Sequence, residues 1–532
     1  MNPLRCSLTL LAAFLCFANH VFAQIRFKEV TREAGLYEPL SGIMGHGGAF
    51  GDYDGDGLID LYVGGFCDRP NDAYEPAKGP VPNRLFRNLG NGKFQRVRED
   101  ILEFYARTSG AVFADLDNDG KLELYVANNT KGRSSLKVQP QRDSQLRHSN
   151  LFRFDGKKWI DITKSSGACP ESLGTARNIG VFDYNQDGLL DLLLVEDRFT
   201  RNPRSVLLRN RGNLQFEDVT KAVGLPNDLF GLGLAVADLN EDGRPDFFIA
   251  HSNRLFLSTK EGRYVEPASL RKLFAWQPLD NEDWPCGAAF GDLNRDGRLD
   301  LVVGIHHEKA RNRIYLNEGL NNGVPQFRDV SIEAGMPAQL PNKSPHVEIQ
   351  DFDNDGWPDI YFSTAWLDKD GSVTVLTFRN EGVKNGVPRF KAPRAIGEAM
   401  VYYPAGPSGD YDNDGRIDLF LINWFRGNHC RLLHNISPKR HWLDVHVVGT
   451  KMNRMGIGAQ VKVYRPGKIG KPEALLGFQE ISTGYGYASG QPAYCHFGLG
   501  NETKADVRVK LPDGRVIDKL GVAADQKLIV HE

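Results

Sequence analysis

The chain has 532 residues, of which 41% are hydrophobic and 25% charged, and its formal net charge is -2. That mixture supports a packed core and excludes global disorder, and the near-neutral balance excludes a dedicated nucleic-acid binder, which would be plainly basic. Glycine is abundant, at 56 residues without a three-residue period, so a collagen helix is excluded and many tight turns are implied.

The N-terminus comes first. Arg5 precedes an apolar stretch from Leu8 to Ala18, and Val21-Phe22-Ala23 stands before Gln24. Small residues at those two positions suit a signal peptidase, and the stretch is shorter than the roughly 20 residues a membrane-spanning helix needs. Residues 1–23 are expected to be a cleaved export signal, leaving no transmembrane segment. The protein is then periplasmic, on the cell surface or secreted, in an oxidising compartment. Five cysteines remain after cleavage, at 67, 169, 286, 430 and 495. They are odd in number and widely spaced, which favours buried thiols over a disulfide lattice.

One nonapeptide then recurs seven times, with starts 63, 68, 55, 54, 59 and 59 residues apart. It reads DYDGDGLID, DLDNDGKLE, DYNQDGLLD, DLNEDGRPD, DLNRDGRLD, DFDNDGWPD and DYDNDGRID. Positions 1, 3, 5 and 9 carry oxygen-bearing side chains in every copy. They are Asp52, Asp54, Asp56 and Asp60; Asp115, Asp117, Asp119 and Glu123; Asp183, Asn185, Asp187 and Asp191; and Asp238, Asn240, Asp242 and Asp246. The last three copies give Asp292, Asn294, Asp296 and Asp300; Asp351, Asp353, Asp355 and Asp359; and Asp410, Asp412, Asp414 and Asp418. Position 6 is always Gly, which permits a turn sharp enough to bring position 9 back toward position 1. A set of hard oxygen ligands without Cys or His selects calcium over zinc or copper, so up to seven structural Ca²⁺ ions are expected.

An EF-hand would need a chelating Glu at position 12. Here that position is Val63, Val126, Leu194, Ile249, Val303, Phe362 and Leu421. Each loop is followed by a short apolar run such as LYVGG from Leu61 or LLLVE from Leu192, so it joins two strands. Further strands follow, as in NRLFRNLG from Asn83 and QFEDVTKAVGL from Gln215. Four strands in about 60 residues is the size of one propeller blade. The seventh repeat lacks its last strand, and IRFKEVTREAGL from Ile25 supplies the missing piece, which would close the ring and remove its open edges. The expected fold is all-β: a seven-bladed β-propeller over residues 24–437 and a small β-sandwich or barrel over 438–532.

These loops and their flanks resemble the FG-GAP/VCBS repeats of integrin α-subunit propellers. The tail resembles the ASPIC/UnbV family, from Gly458-Ala459 through His496-Phe497-Gly498-Leu499-Gly500 to Pro512-Asp513-Gly514. That family usually has Trp before Pro-Asp-Gly, where Leu511 stands here. The combination resembles secreted relatives of cartilage acidic protein. The resemblance implies calcium binding and extracellular or adhesive contacts, without a defined reaction.

In such a ring the acidic loops share one face, and the variable connections share the other. The second face receives a basic segment (Lys131, Arg133, Lys137, Arg142, Arg147) and a scatter of Arg, His and aromatic residues. The latter are Arg177, Arg198, His251, Trp284, His306, His307, Trp366, Tyr402, Tyr403, Trp424 and Arg426. Such residues suit stacking on sugar rings and pairing with acidic groups. No nucleophile elbow, zinc-protease, P-loop or dinucleotide motif is present, and no catalytic or cofactor-binding residue is assigned. The leading reading is a non-enzymatic module that binds an extracellular glycan or protein. The alternatives are a carbohydrate-active propeller enzyme of the lyase or dehydratase type, and a structural scaffold.

Overall fold

In the computed structural model, which describes residues 25–129, 148–198, 203–367, 373–393 and 399–532, the apolar run after each acidic loop is the second strand of an antiparallel sheet. The first copy shows the plan. Gly48–Gly51 leads into the loop, Asp60–Val63 leaves it, and Arg84–Asn88 and Phe94–Val97 complete the sheet. Seven such sheets follow one another along the chain, each built on four antiparallel strands; the first and the sixth carry a fifth. The strands entering and leaving the loops are covered on both faces, so they read as unbroken apolar runs instead of alternating ones.

The entering strands lie innermost, where neighbouring sheets crowd. This is why they are rich in Gly and Ala. A Cβ on Gly51 would sit 2.7 Å from the Cβ of Phe113 in the next sheet, and one on Gly180 would sit 2.5 Å from Leu234 Cδ2. The ring is closed by the chain's start: Phe27–Glu29 pairs antiparallel with the strand Arg431–Asn435, with Phe27 opposite Asn435. The described strand at the N-terminus is therefore the outer strand of the seventh sheet. The proposed signal at 1–23 and the basic segment 131–147 lie outside the described residues.

From His441 onward the chain forms two further sheets. One holds Cys495–Gly500, His441–Val448 and Gln526–His531; the other holds Leu475–Glu480, Gln460–Tyr464, Lys504–Lys510 and Val516–Ala523. Their inner faces share one apolar cluster with the second to fourth sheets of the ring. Between Glu480 and Cys495 the chain leaves these sheets and runs down the ring axis as a tongue. The Gly486 amide donates to the carbonyls of Leu234 (3.0 Å) and Ala288 (2.8 Å), and Ser489–Gly490 pairs parallel with Gly48–Ala49. The Tyr487 amide donates to His346 Nδ1 (2.9 Å), and Gln491 Nε2 donates to the buried Glu348 (2.7 Å). All five cysteines named above are free thiols, and all but Cys169 are buried. No described helix is long and apolar enough to cross a membrane.

The tongue gives a direct test. Gly486 has φ +78°, and a Cβ there would lie 2.5 Å from the His346 ring. Gly486→Ala combines left-handed backbone strain with overpacking and should cost about 2–4 kcal/mol. Thermal melting should show the loss, and amide exchange should place it first in the C-terminal sheets.

Candidate metal loops and the axial cavity

All seven loops share one hydrogen-bond skeleton. The first Asp accepts from the amides of positions 5 and 6: Asp52 Oδ1 from Asp56 N (3.0 Å) and Oδ2 from Gly57 N (2.8 Å). The same pair of bonds recurs from Asp115 to Asp410. Position 6 is a Gly at φ +82° to +90°, and position 4 is also left-handed, at +53° to +62° where it is not Gly. Two left-handed residues within three positions fold the loop back on itself.

Position 9 does a second job. Asp60 accepts from the Tyr53 amide (3.1 Å) with one oxygen and from the Asn88 amide (2.8 Å) with the other, which ties the loop to the third strand. Asp191, Asp246, Asp300, Asp359 and Asp418 repeat this clamp. The second loop departs from it: Glu123 Oε2 accepts from Leu116 N, while its Oε1 is buried without a hydrogen bond, 4.0 Å from Arg153 Nε.

The carboxylates converge in four loops. Asp52, Asp54 and Asp60; Asp115, Asp117 and Glu123; Asp351, Asp353 and Asp355; and Asp410, Asp412 and Asp414 each bring three oxygens within 4.8 Å of one another. Asp412 and Asp418 also meet His434 in this way. The third, fourth and fifth loops carry Asn185, Asn240 and Asn294 at position 3, and form no such all-acid triplet among the described residues.

A third-strand cation accompanies the extra acid. Arg87 bonds Asp54 (2.5 Å) and Asp56 (2.9 Å), Arg153 meets Asp117 (3.1 Å) and Asp119 (3.2 Å), and Arg379 bonds Asp353 (2.8 Å) and Asp355. His434 faces Asp412 (3.4 Å) and Asp418 (3.3 Å). Where position 3 is Asn, the matching residues are Arg209, Leu257 and Leu316. Arg87 takes Asp54 Oδ2 and leaves Oδ1 buried without a hydrogen bond; Asp412 Oδ1 and Glu123 Oε1 lack one likewise. Orphaned buried carboxylate oxygens among hard donors fit a hard divalent cation.

Burial, and then the neighbouring acids, raises several of the loop carboxyls. Asp60 is pushed up to about 8, Glu123 to about 9, Asp292 to about 7 and Asp410 to about 9, and Asp351 and Asp359 lie well above the usual carboxylate range. Burial penalises the charged form of each, and the facing carboxylates add like-charge repulsion.

The loop face is covered by the C-terminal sheets. Arg454 N donates to Asn118 Oδ1 (2.8 Å), Gln186 Nε2 reaches Pro512 O (3.4 Å), and Gln460 and Glu480 meet Asp238. Lys462 Nζ donates to Gly297 O (3.2 Å), His496 Nε2 meets Asn354 Oδ1 (2.7 Å), and Lys527 bonds Asn413. Gly498 passes so close to the sixth loop that a Cβ would fall 2.0 Å from Asp351 Oδ2. Position 4 also links loop to loop: Asn118 donates to Gly188 O (2.9 Å), Gln186 to Gly243 O (2.9 Å), Asn354 to Gly415 O (2.7 Å) and Asn413 to Gly57 O (3.3 Å). Sequence reasoning gave position 4 no role. Its only signal was Asn or Gly in four of the seven copies, residues that tolerate a left-handed backbone.

A family model for the FG-GAP-like repeat matches residues 52–126, 183–249 and 351–421, and one for ASPIC and UnbV matches residues 449–532. The chain carries FG-GAP-like repeats and an ASPIC and UnbV domain. It is similar to cartilage acidic protein 1 of Mus musculus, 26% identical over 92% of this chain and 73% of that protein. Cartilage acidic protein 1 of Homo sapiens is 25% identical over 90% and 70%. Among solved structures, the Bacillus licheniformis rhamnogalacturonan lyase PL11 superposes with a TM-score of 0.38 at 14% identity, over 77% of this chain and 75% of that one.

On the face away from the ASPIC and UnbV domain, the ring axis opens into a cavity of about 300 Å³. Of the residues expected there, Arg177, Trp284, His306, Tyr402 and Trp424 line it. Arg198 stacks on Trp284 from behind (4.3 Å to the ring centre), and His251 packs against Phe230 with burial holding it down near 4. His307 turns to Asp280, Arg426 to Asp72 and Glu75, Tyr403 to Arg431, and Trp366 lies in the core. His46, Arg69, Arg107, Cys286, Lys343 and Tyr487 also line it and were not anticipated. A repeat-based signal existed for two of them: His46, Arg177, Leu232 and Cys286 each stand six residues before a loop's first Asp. Tyr487 comes from the tongue and had no such signal.

The loop carboxyls set a pH dependence for the chelator-treated protein. The folded pKa values of the raised groups, Asp60, Glu123, Asp292 and Asp410 among them, exceed the unfolded ones, so the folded state holds more protons between about pH 4 and 8. Stability should therefore fall as pH rises through that window, and melting temperatures measured from pH 5 to 8 in chelator should decline. A bound divalent ion replaces those protons, so the decline should vanish in its presence.

Proposed function

We propose that this protein is an exported, calcium-held β-propeller that acts as a non-enzymatic binding module for an extracellular glycan or protein. One observation carries the reading: six of the seven acidic loops lie under the ASPIC and UnbV domain. Ions there would sit between ring and domain, neutralise carboxylates that repel one another and leave substrate no approach. Their role would be structural, with ligands from positions 1, 3, 5 and 9 of each loop and Ca²⁺ favoured by the hard, all-oxygen donor set. The opposite face, with its axial cavity, is then the binding face. The chain's similarity to cartilage acidic protein 1 and an N-terminus that reads as an export signal support an extracellular setting.

A second reading, a carbohydrate-active enzyme, draws on one observation: His46, Tyr487 and Arg177 cluster in the cavity floor. The arrangement argues against a general base. Arg177 Nη1 can only donate, and it points at His46 Nδ1 (3.0 Å), so that nitrogen is the acceptor and its lone pair is engaged. Tyr487 Oη meets the same nitrogen (2.9 Å), and burial drives its phenol far above the ordinary range. Neither group is poised to take a proton from a substrate.

Chelation tests the proposal. If each site at tenfold saturation adds about 1.4 kcal/mol, seven sites contribute on the order of 10 kcal/mol. A calcium chelator should then lower the melting temperature by more than about 10 °C and open the segment near Ser437–His441 to protease. Calcium should restore both, and zinc neither. An unchanged melting curve would overturn the structural role.

A further inference from the structure

We infer that the seventh loop holds a mixed nitrogen–oxygen site for a divalent transition ion of the zinc class, bound by Asp412, Asp418 and Nδ1 of His434. The inference rests on the reading of the loops as metal cages and specifies the ion that one of them takes.

The third strand sets this loop apart. The residue that precedes the loop-facing end of that strand is Arg87, Arg153, Arg209 or Arg379 in four copies, and Leu257 or Leu316 in two. A guanidinium keeps its charge and has no lone pair to give, so it serves only as a counter-ion. The seventh copy has His434 there. An imidazole that gives up one proton becomes a ligand. The nonapeptide supplies oxygens alone, and the third strand adds a nitrogen to them.

The spacing fits a small ion. His434 Nδ1 lies 3.3 Å from Asp418 Oδ1 and 3.4 Å from Asp412 Oδ2, and the three residues bring donor atoms within 4.8 Å of one another. Tetrahedral zinc holds N and O donors at ~2.0–2.2 Å, which sets them ~3.4 Å apart. His434 Nδ1 is buried without a hydrogen bond, and Asp412 Oδ1 likewise. A proton on Nδ1 has one direction and cannot serve two carboxylates at equal distance; an ion among the three serves all of them. Among the described residues this is the one group of three in which an imidazole takes part. His429 and His441 each meet a single carboxylate, Glu29 (2.7 Å) and Asp525 (2.8 Å).

The neighbours leave these two acids to the ion. Asp414 is paired with Arg416, and Asp410 accepts the amides of Asp414 (3.1 Å) and Gly415 (2.8 Å). Asp418 is fully buried, and its Oδ1 accepts from the Asn435 amide (2.7 Å), which leaves that oxygen a second lone pair. Two carboxylates and a neutral imidazole balance a divalent charge. Calcium takes oxygen ligands, whereas imidazole suits zinc. Asp412 also belongs to the all-oxygen group with Asp410 and Asp414, so the two kinds of ion compete for one carboxylate and the loop holds one at a time. His434 stands opposite Lys28 in the strand pair that closes the ring, so the ion would tie the seventh loop to that closure.

The test is metal counting on the full chain, stripped with chelator, dialysed into millimolar calcium and titrated with Zn²⁺ against a chromophoric zinc indicator. One zinc should bind per chain in the presence of excess calcium, and Co²⁺ in its place should give the strong visible bands of a four-coordinate site. His434→Arg, which installs the residue of the first, second and sixth loops, should weaken zinc by at least about a hundredfold and abolish the cobalt bands. Its melting temperature in calcium checks that it folds. His441→Gln should leave zinc binding unchanged. No zinc uptake in excess calcium, several equivalent zinc ions, or a His434→Arg chain that keeps its zinc would overturn the inference. Calcium-dependent melting without zinc uptake would sink the zinc site and leave the structural reading of the loops standing. Zinc uptake by a chain whose melting ignores calcium would sink that reading and keep the site. A single zinc leaves six loops empty, so it does not stand in for calcium in restoring the melting temperature.

Discussion

The structure depends on crowded carboxylates at the tips of seven hairpins. Each loop folds because its first Asp accepts two backbone amides and its ninth residue ties the loop to the third strand. The same geometry forces the side chains of positions 1, 3 and 5 or 9 together in a buried place, where their charges repel and their protons are held tightly. The third-strand cations answer part of that repulsion. Arg87, Arg153, Arg379 and His434 stand wherever position 3 is Asp, and Leu257 and Leu316 stand only where it is Asn. Each pairing leaves acid in excess, so the loops retain a demand for positive charge that the third-strand side chains do not meet.

Ring and C-terminal domain are joined through these loops and through the axis. Position 4 hands a hydrogen bond to the next loop at four junctions, including the one that returns from the seventh loop to the first. The HFGLG segment docks on the sixth loop, where Gly498 allows a contact no larger residue could make and both ring nitrogens of His496 find partners, Asp444 and Asn354. The tongue then carries Tyr487 through the ring to its far side. One domain thus covers one face and helps to build the floor of the other.

Much of the fold was legible because a repeat reports its own geometry. The copies of one loop implied the strand order around each loop and the pairing of the N-terminal strand with Arg431–Asn435. The apolar position 12 separated a strand–loop–strand unit from a helical calcium motif. The loop residues were legible for the same reason. Their partners were less so: a third-strand Arg reads as an ordinary surface residue until the register places it over Asp54 or Asp353. The cavity floor was only half visible. Arg177 and Trp284 were named from their places in the links, but His46 and Cys286 needed the repeat to be aligned at its entering strands.

The sequence by itself determined the local units. Asp-x-Asp-x-Asp-Gly specifies a tight loop through bonds reaching no more than a few residues, and an apolar run with β-branched and aromatic residues specifies the strand after it. Only the tertiary structure decided what those loops face. Gly498, Tyr487 and His496 lie more than a hundred residues from Asp351, His46 and Asn354 respectively, and no period or spacing links them. Their meeting follows from how a closed ring and a second domain fit together, which is a property of packed surfaces and not of neighbouring residues.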